Sequence, residues 1–519
     1  MAAAPGTRGD RSYNPAMNPD IRRVVIAGGG TAGWLAAAAL SHSFKGILDF
    51  TLVESDEIGT VGVGESTIPP IRTLHRLLRI DEQEFMRATA ATFKLGISFE
   101  GWRDGKDQYI HSFGVNGKSA WACEFHHFWL HSLTRGMRSE IAEYCLELQA
   151  ARHHKFMPGA NGEVNYAYHL DATVYSKFLR RFAEALGVKR IEGKIREVRQ
   201  NAESGAVESL ILDSGAVIEG DLFIDCTGFR GLLIEQTLKT GYENWSHWLP
   251  CDSAVAVQTE STGPAVPYTR AIAHGAGWRW RIPLQHRVGN GLVYCSRYMT
   301  DQEATDKLMQ DVEGKTIVPP RVLKFTTGRR QRAWNKNVVA LGLSSGFVEP
   351  LESTSIHLVM TGVSRLIHYF PFGGITQSFV DQYNDDVQSE WESVRDFIIL
   401  HYKVTDRDDT PFWRYCRTME LPELLARRIQ MFRDRAHAWR LDTELFQLDS
   451  WTQVMLGQGV TPANYNRMAA GMSDEVLARF LAGIKGAIDQ AVARMPAHQE
   501  FVDRYCHASD EIWAKAAMR

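Results

Sequence analysis

No stretch of this sequence keeps the roughly 20 consecutive apolar residues that a membrane-spanning helix needs; the longest apolar run near the start is Trp34 to Leu40. Residues 1–20 carry Gly, Pro, Arg and Asp but no apolar core, which excludes a secretory signal and reads as a disordered leader. There is no long basic run and the net charge is −3, so nucleic acid is a poor partner. The 7 cysteines, at positions 123, 145, 226, 251, 295, 416 and 506, form no C-x-x-C pair and are odd in number. That speaks against a disulfide frame or a zinc site and for reduced thiols in a cytoplasm, with no resident metal. Cys226 and Cys295 fall in apolar strand-like runs and are expected as buried structural thiols. Repeats at a fixed period are also missing.

What is present is a large soluble chain. At 519 residues, with 44% hydrophobic and 23% charged residues, it can form two or three lobes around a substantial core. Arg22 to Ala27 reads as a short apolar strand, followed by Gly28-Gly29-Gly30-Thr31-Ala32-Gly33 and an alanine-rich helix from about Trp34. Asp49 to Glu54 reads as a second strand ending in an acid. This β-loop-α-β order implies a parallel sheet with a right-handed crossover. Residues 65–92 are largely helical in pattern, with starts at Pro69-Pro70 and Asp81-Glu82. A helix from Tyr175 to Leu186 precedes Lys189 to Arg199 and a hairpin-like pair ending at Leu222-Phe223-Ile224-Asp225. The expected class is α/β: a Rossmann-type core over 21–374, an inserted β-rich layer at about 245–330, and a helical lobe over 375–519 that completes a substrate pocket.

Gly28, Gly30 and Gly33 match G-x-G-x-x-G directly after a strand and before a helix. The first glycine permits the tight turn, the second lets backbone approach a pyrophosphate, and the third lets helix and strand pack closely. The helix N-terminus then offers free N–H groups to phosphate charge. Glu54, 21 residues after Gly33 at a strand end, is placed to accept ribose hydroxyls. Asp225-Cys226-Thr227-Gly228 and Asn337 to Gly342 are later strand-to-glycine segments that return to the same site. Such returns resemble the two-domain FAD proteins of the flavin monooxygenase superfamily more than dehydrogenases. Leu343 stands where that superfamily usually has an aspartate, so some ribityl or phosphate contact is made differently.

Gly277-Trp278-Arg279-Trp280-Arg281-Ile282-Pro283, read as a strand, puts Trp278, Trp280 and Ile282 on one face and both arginines on the other. By itself that is ordinary sheet core. Phe93 to Phe99 also alternates: Phe93, Leu95, Ile97 and Phe99 share one face, with Lys94, Gly96 and Ser98 opposite, where a lysine is usually solvated. Phe347-Val348-Glu349-Pro350-Leu351-Glu352-Ser353-Thr354-Ser355 precedes a helix striped by Ile356, Val359, Val363 and Leu366 and ended by Pro371. Its plain reading is a Ser/Thr cap with acids near the helix dipole.

In a flavoprotein, Gly-Trp-x-Trp-x-Ile-Pro resembles the signature of the flavin-dependent halogenases of the tryptophan type. Val61-Gly62-Val63-Gly64-Glu65-Ser66-Thr67 is similar to their flavin-facing loop. The resemblance implies that Lys94 and Glu352 are catalytic. It also implies FAD, supplied as FADH2, held by Gly28, Gly30, Thr31, Ala32, Gly33, Glu54, Gly64, Ile195, Gly228, Gly342 and Leu351. Chloride or bromide would sit on the N–H groups of Thr354 and Ser355; Ser355 replaces a glycine common in tryptophan halogenases. Hypohalous acid made from dioxygen and halide at a peroxyflavin would pass a partition of Trp278 and Trp280 that bars the organic substrate. Lys94 would hold the halogen as an ammonium donor or as a haloamine, and Glu352 would take the arenium proton.

His111-Ser112-Phe113 resembles the family's His-x-Phe element, and Trp451 a second pocket wall. The tyrosine pair and glutamate that grip the amino-acid end of tryptophan are missing: Phe446 stands where the glutamate aligns. The implied substrate is indole or a related electron-rich arene, with tryptophan itself the alternative. Because no second nucleotide fingerprint serves NAD(P)H, a separate NAD(P)H-dependent flavin reductase is the expected partner, and homo-oligomerisation is left open. The rivals are an aromatic hydroxylase and a flavin-binding sensor without turnover.

Overall fold

Residues 20–58, 65–120, 122–159 and 164–508 are described by the computed structural model of the chain. The expected leader (1–20, save Asp20) and Gly64 lie outside the described residues. The nucleotide core is a six-stranded sheet in the order Trp334–Asn335, Val338–Ala340, Leu222–Asp225, Arg23–Ala27, Asp49–Glu54 and Lys189–Glu192. All pairs are parallel except the first, which is antiparallel. Val24, Val25, Ile26 and Ala27 are all buried, as a parallel strand covered on both faces requires. The helix Thr31–Ser43 begins three residues earlier than expected, so Gly33 lies inside it. Its small buried residues Ala36, Ala37, Ala38 and Ala39 let it lie close to its neighbours.

The inserted layer is a seven-stranded sheet: Arg321–Lys324, Ser253–Glu260, Arg287–Tyr294, Gly277–Pro283, Tyr268–His274, Gly96–Glu100 and Gln108–Ser112. Its last two strands come from before the expected insertion, and Gly96–Glu100 pairs in parallel with Tyr268–His274. This recruitment corrects the reading of 93–99 as one strand. The chain breaks at Leu95, leaving Thr92–Lys94 in a separate small sheet with Ala167–Leu170. Both faces of 92–99 are buried, so Lys94 is not solvated.

The strand Gly277–Pro283 forms over the expected residues, with Trp278, Trp280 and Ile282 buried and both arginines only partly so. Trp280 pairs with Gly291 of the next strand, and its ring crosses the space a side chain there would take. A Cβ at Gly291 would lie 2.0 Å from the Trp280 ring.

From Gln377 the chain is helical, from the long helix Gln377–Lys403 to His498–Cys506. All seven cysteines are free, and Cys226 is half-buried against the glycine loop rather than buried as expected. Among the described residues no helix is long and apolar enough to cross a membrane.

Gly291→Val should displace the Trp280 ring and destabilise the protein by about 1–3 kcal/mol, as overpacking does. The check is the urea midpoint at constant m-value.

Candidate active site

The glycine loop is built as its steric logic demands. Gly28 has φ +107°, and a Cβ there would lie 2.3 Å from the Cys226 carbonyl oxygen. A Cβ at Gly33 would meet the Gly28 carbonyl oxygen at 1.9 Å, so helix and strand touch through backbone. A Cβ on Gly30 would meet nothing within 4 Å: the loop is open where a pyrophosphate would approach. Thr31 and Ala32 open the helix, and a Cβ at Gly342 would lie 2.8 Å from the Ala32 side chain.

Buried Asp225 knits the returning segments together. Its Oδ1 accepts from Thr227 N (2.9 Å) and Ser344 Oγ (3.1 Å), and its Oδ2 from the backbone of Leu233 and Ile234. Ser344 Oγ also donates to the Gly228 carbonyl. These residues fit a dinucleotide. Glu54 ends its strand beside Gly29, but its carboxylate already accepts from Arg190 Nε at 2.6 Å and Trp34 Nε1 at 3.3 Å. Ile195 packs against the apolar cluster that includes Ala27 and Val53.

Lys94 and Glu352 are brought together in the dry interior. Lys94 Nζ donates to the Thr67 carbonyl (3.1 Å) and to Ser353 Oγ (2.8 Å) and lies 5.1 Å from the centre of the Phe113 ring. Burial pushes the Lys94 amine down to about 7, against the pull of the Glu352 charge. His111 Nδ1 stands 3.0 Å from both Glu352 oxygens, and His401 Nε2 lies 2.9 Å from Oε1 in an off-axis contact. Burial would raise this carboxyl, but the two histidines hold it down to about 2, so it stays ionised.

The turn before the helix Ser355–His368 is not a side-chain cap. Thr354 sits at the N-cap position in helical backbone conformation without a cap bond, and its Oγ1 is buried without a partner. Glu352 is likewise withdrawn from the helix end by its histidines. Ser353 takes φ +60°, which turns its hydroxyl to Lys94. Leu351 is buried within the same turn. The first N–H groups of the helix, from Ser355, have no acceptor within it.

His111 is thus a partner of Glu352 as well as a ring. It lies 5.5 Å from Phe397, which stacks on Phe446 at 3.7 Å and meets Trp451 edge-on at 4.9 Å. Gln453 joins the Trp451 helix to this strand end, accepting from Ser112 N at 2.8 Å and donating to the Gly114 carbonyl. Sequence reasoning missed His401, Phe397, Thr67 and Ser353. The i, i+4 spacing of Phe397 and His401 on one helix was visible; which face meets Glu352 was not.

The sequence profile described as tryptophan halogenase matches residues 23–474. The tryptophan 7-halogenase RebH of Lentzea aerocolonigenes is 37% identical over 442 residues, covering 80% of this chain and 83% of the relative. Among solved structures, Xcc4156, a flavin-dependent halogenase from Xanthomonas campestris, superposes with TM-score 0.93 at 54% identity, covering 95% of this chain and 99% of that one. BrvH, a flavin-dependent halogenase from Brevundimonas sp. BAL3, gives TM-score 0.90 at 44% identity over 95% and 100%.

Lys94→Met ends the cost of charging a buried amine, so its stability relative to wild type should be highest at pH 6. The Lys94 pKa is lowered from 10.5 to about 7, so between those values the unfolded state binds the extra proton and wild-type stability rises with pH. The stability of the variant relative to wild type should therefore fall from pH 7 to 9 in urea titrations.

Proposed function

The chain belongs to the tryptophan halogenase family, and from that premise we propose that this FADH2-dependent halogenase acts on indole or a related electron-rich arene through Lys94 and Glu352. One observation carries the substrate reading. Phe446 stacks on Phe397 at 3.7 Å where an acid would be needed to grip an ammonium group. Glu444, two residues earlier, is committed to buried Arg428 (2.5 Å). An apolar floor favours a flat arene without a zwitterionic arm.

Bound reduced FAD supplies the oxygen-activating chemistry that converts halide to hypohalous acid. The backbone N–H groups at Thr354 and Ser355 hold the halide, and Trp278 and Trp280 keep the arene from the flavin chamber. Lys94 has three N–H donors as an ammonium, two of them engaged by Thr67 and Ser353. The third faces the hypohalous oxygen. The oxygen–halogen bond breaks as the carbon–halogen bond forms, and the departing oxygen takes a proton from Nζ and leaves as water. The arenium proton goes to Glu352. An arenium ion is so acidic that even a carboxylate with pKa about 2 suffices as base, and the ionised state is what His111 and His401 maintain.

Flavin-dependent halogenases in general draw on a separate flavin reductase; for this chain we assign an NAD(P)H-dependent one that delivers FADH2 by diffusion or transient contact. A hydroxylase would give product without halide.

The test supplies FAD, a flavin reductase, NADH and bromide, with indole and tryptophan in parallel, and reads products by mass. Monobromoindole should exceed bromotryptophan, and omitting bromide should abolish product; a hydroxylated product without halide would refute the reading. Lys94→Ala should retain FAD binding and lose halogenation by at least about 100-fold, the scale of a lost catalytic acid–base group. In His401→Ala, kcat should fall by about tenfold, on the scale of one lost charge-assisted contact, with the FAD Kd unchanged.

A further inference from the structure

Glu349 lies one short turn before Glu352 and is just as deeply buried, yet the chemistry above gives it no part. Its Oε2 accepts from the Trp278 indole N–H at 2.8 Å and from the Tyr402 hydroxyl at 2.5 Å. Its Oε1 is buried without a partner. We propose that Glu349 is a positioning residue for the reaction: the carboxylate oxygen shared by Trp278 and Tyr402 ties the partition strand to the turn that carries Glu352. The role assigned to the partition rests on the halogenase reading.

The geometry is a pair of latches on one turn. Tyr402 and His401 are neighbours near the end of the long helix; Tyr402 reaches Glu349 and His401 reaches Glu352. From the seven-stranded sheet, Trp278 reaches Glu349 and His111 reaches Glu352. Pro350 stiffens the link between the two acids. The two tryptophans are held differently. Trp278 has this polar anchor, whereas the buried Trp280 Nε1 has no partner and its ring is fixed by packing over Gly291.

A dry carboxylate with one oxygen unused is a costly way to fill space, and an apolar side chain would serve stability better. The groups facing Glu349 are Trp278, Tyr402 and the thiols of Cys251, Cys295 and Cys416. Burial pushes all three thiols up, so none is charged at neutral pH, and among the described residues no cation acts on the acid. Burial likewise pushes the Glu349 carboxyl up to about 7, with the bonds from Tyr402 and Trp278 pulling it down. Above that pH both bonds end on a charged oxygen; as pH falls through it they weaken.

Two readouts test this. The first is the indole N–H signal of Trp278 in full-length protein labelled with 15N-tryptophan, assigned by its loss in Trp278→Phe. In wild type it should move upfield as pH falls through about 7. In Glu349→Gln it should be shifted and independent of pH, and in Tyr402→Phe the midpoint should rise. The second is the amount of hypohalous acid caught by an external trap per halogenated arene. In Glu349→Gln this leak should rise about tenfold, the factor for one lost charge-assisted hydrogen bond, with unchanged FAD affinity and circular dichroism. A Trp278 signal that is the same in Glu349→Gln, or an unchanged leak in a folded, halogenating variant, overturns this inference alone. Wild-type protein that forms no halide-dependent product overturns the halogenase reading and the role of Glu349 in it, while the Trp278 signal still reports whether the bond exists.

Discussion

A lysine and a glutamate kept ionisable in a dry interior form the constraint on which the rest of this structure depends. Either charge alone would be expelled or neutralised. Lys94 is tolerated because Thr67 and Ser353 accept its hydrogens and Glu352 supplies a counter-charge, and even so its amine is driven down to about 7. Glu352 is tolerated because His111 and His401 face it from opposite elements. Both groups are shut off from solvent, so each answers mainly to the partners the fold sets beside it.

That constraint explains how the lobes meet. The seven-stranded sheet delivers His111 and Trp278, and the small sheet delivers Lys94. The helical lobe delivers His401 and Tyr402, and the segment leaving the nucleotide sheet after Gly342 delivers Glu349 and Glu352. The same segment begins against Ala32 at the glycine loop and ends at the helix Ser355–His368. A single stretch of backbone therefore runs from the glycine loop to the turn that carries Glu349 and Glu352. The C-terminal helix contributes too: His498 Nε2 accepts the backbone N–H of Phe93, the residue before Lys94.

Much of the nucleotide half was legible along the chain. Strand Asp49–Glu54 formed over the expected residues, as did Gly277–Pro283 in the inserted sheet, and the helix of the glycine loop missed only its start, at Thr31 instead of Trp34. The alternation of 93–99 was read correctly as extended chain and wrongly as one strand. Periodicity reports side-chain direction, whereas the break at Leu95 arises because the two ends pair with strands more than 70 residues away. The Ser/Thr cap failed for a related reason: Ser353 hydrogen-bonds to a lysine 259 positions distant, and tertiary contact overrode a local preference.

The sequence by itself determined the elements whose cause is local: strands set by alternation or by continuous apolar runs, and a phosphate loop set by where a Cβ cannot fit. Lys94 and Glu352 stood out only through the family resemblance; read alone, they were a solvated lysine and an acid near a helix end. Only the tertiary structure decided what those residues touch. The histidines that keep Glu352 ionised, the hydroxyl that steadies Lys94 and the acid that anchors Trp278 come from separate parts of the chain. Local propensity acts over a few residues, whereas the protonation state of a buried group is set by whatever the whole fold places within a few ångströms of it.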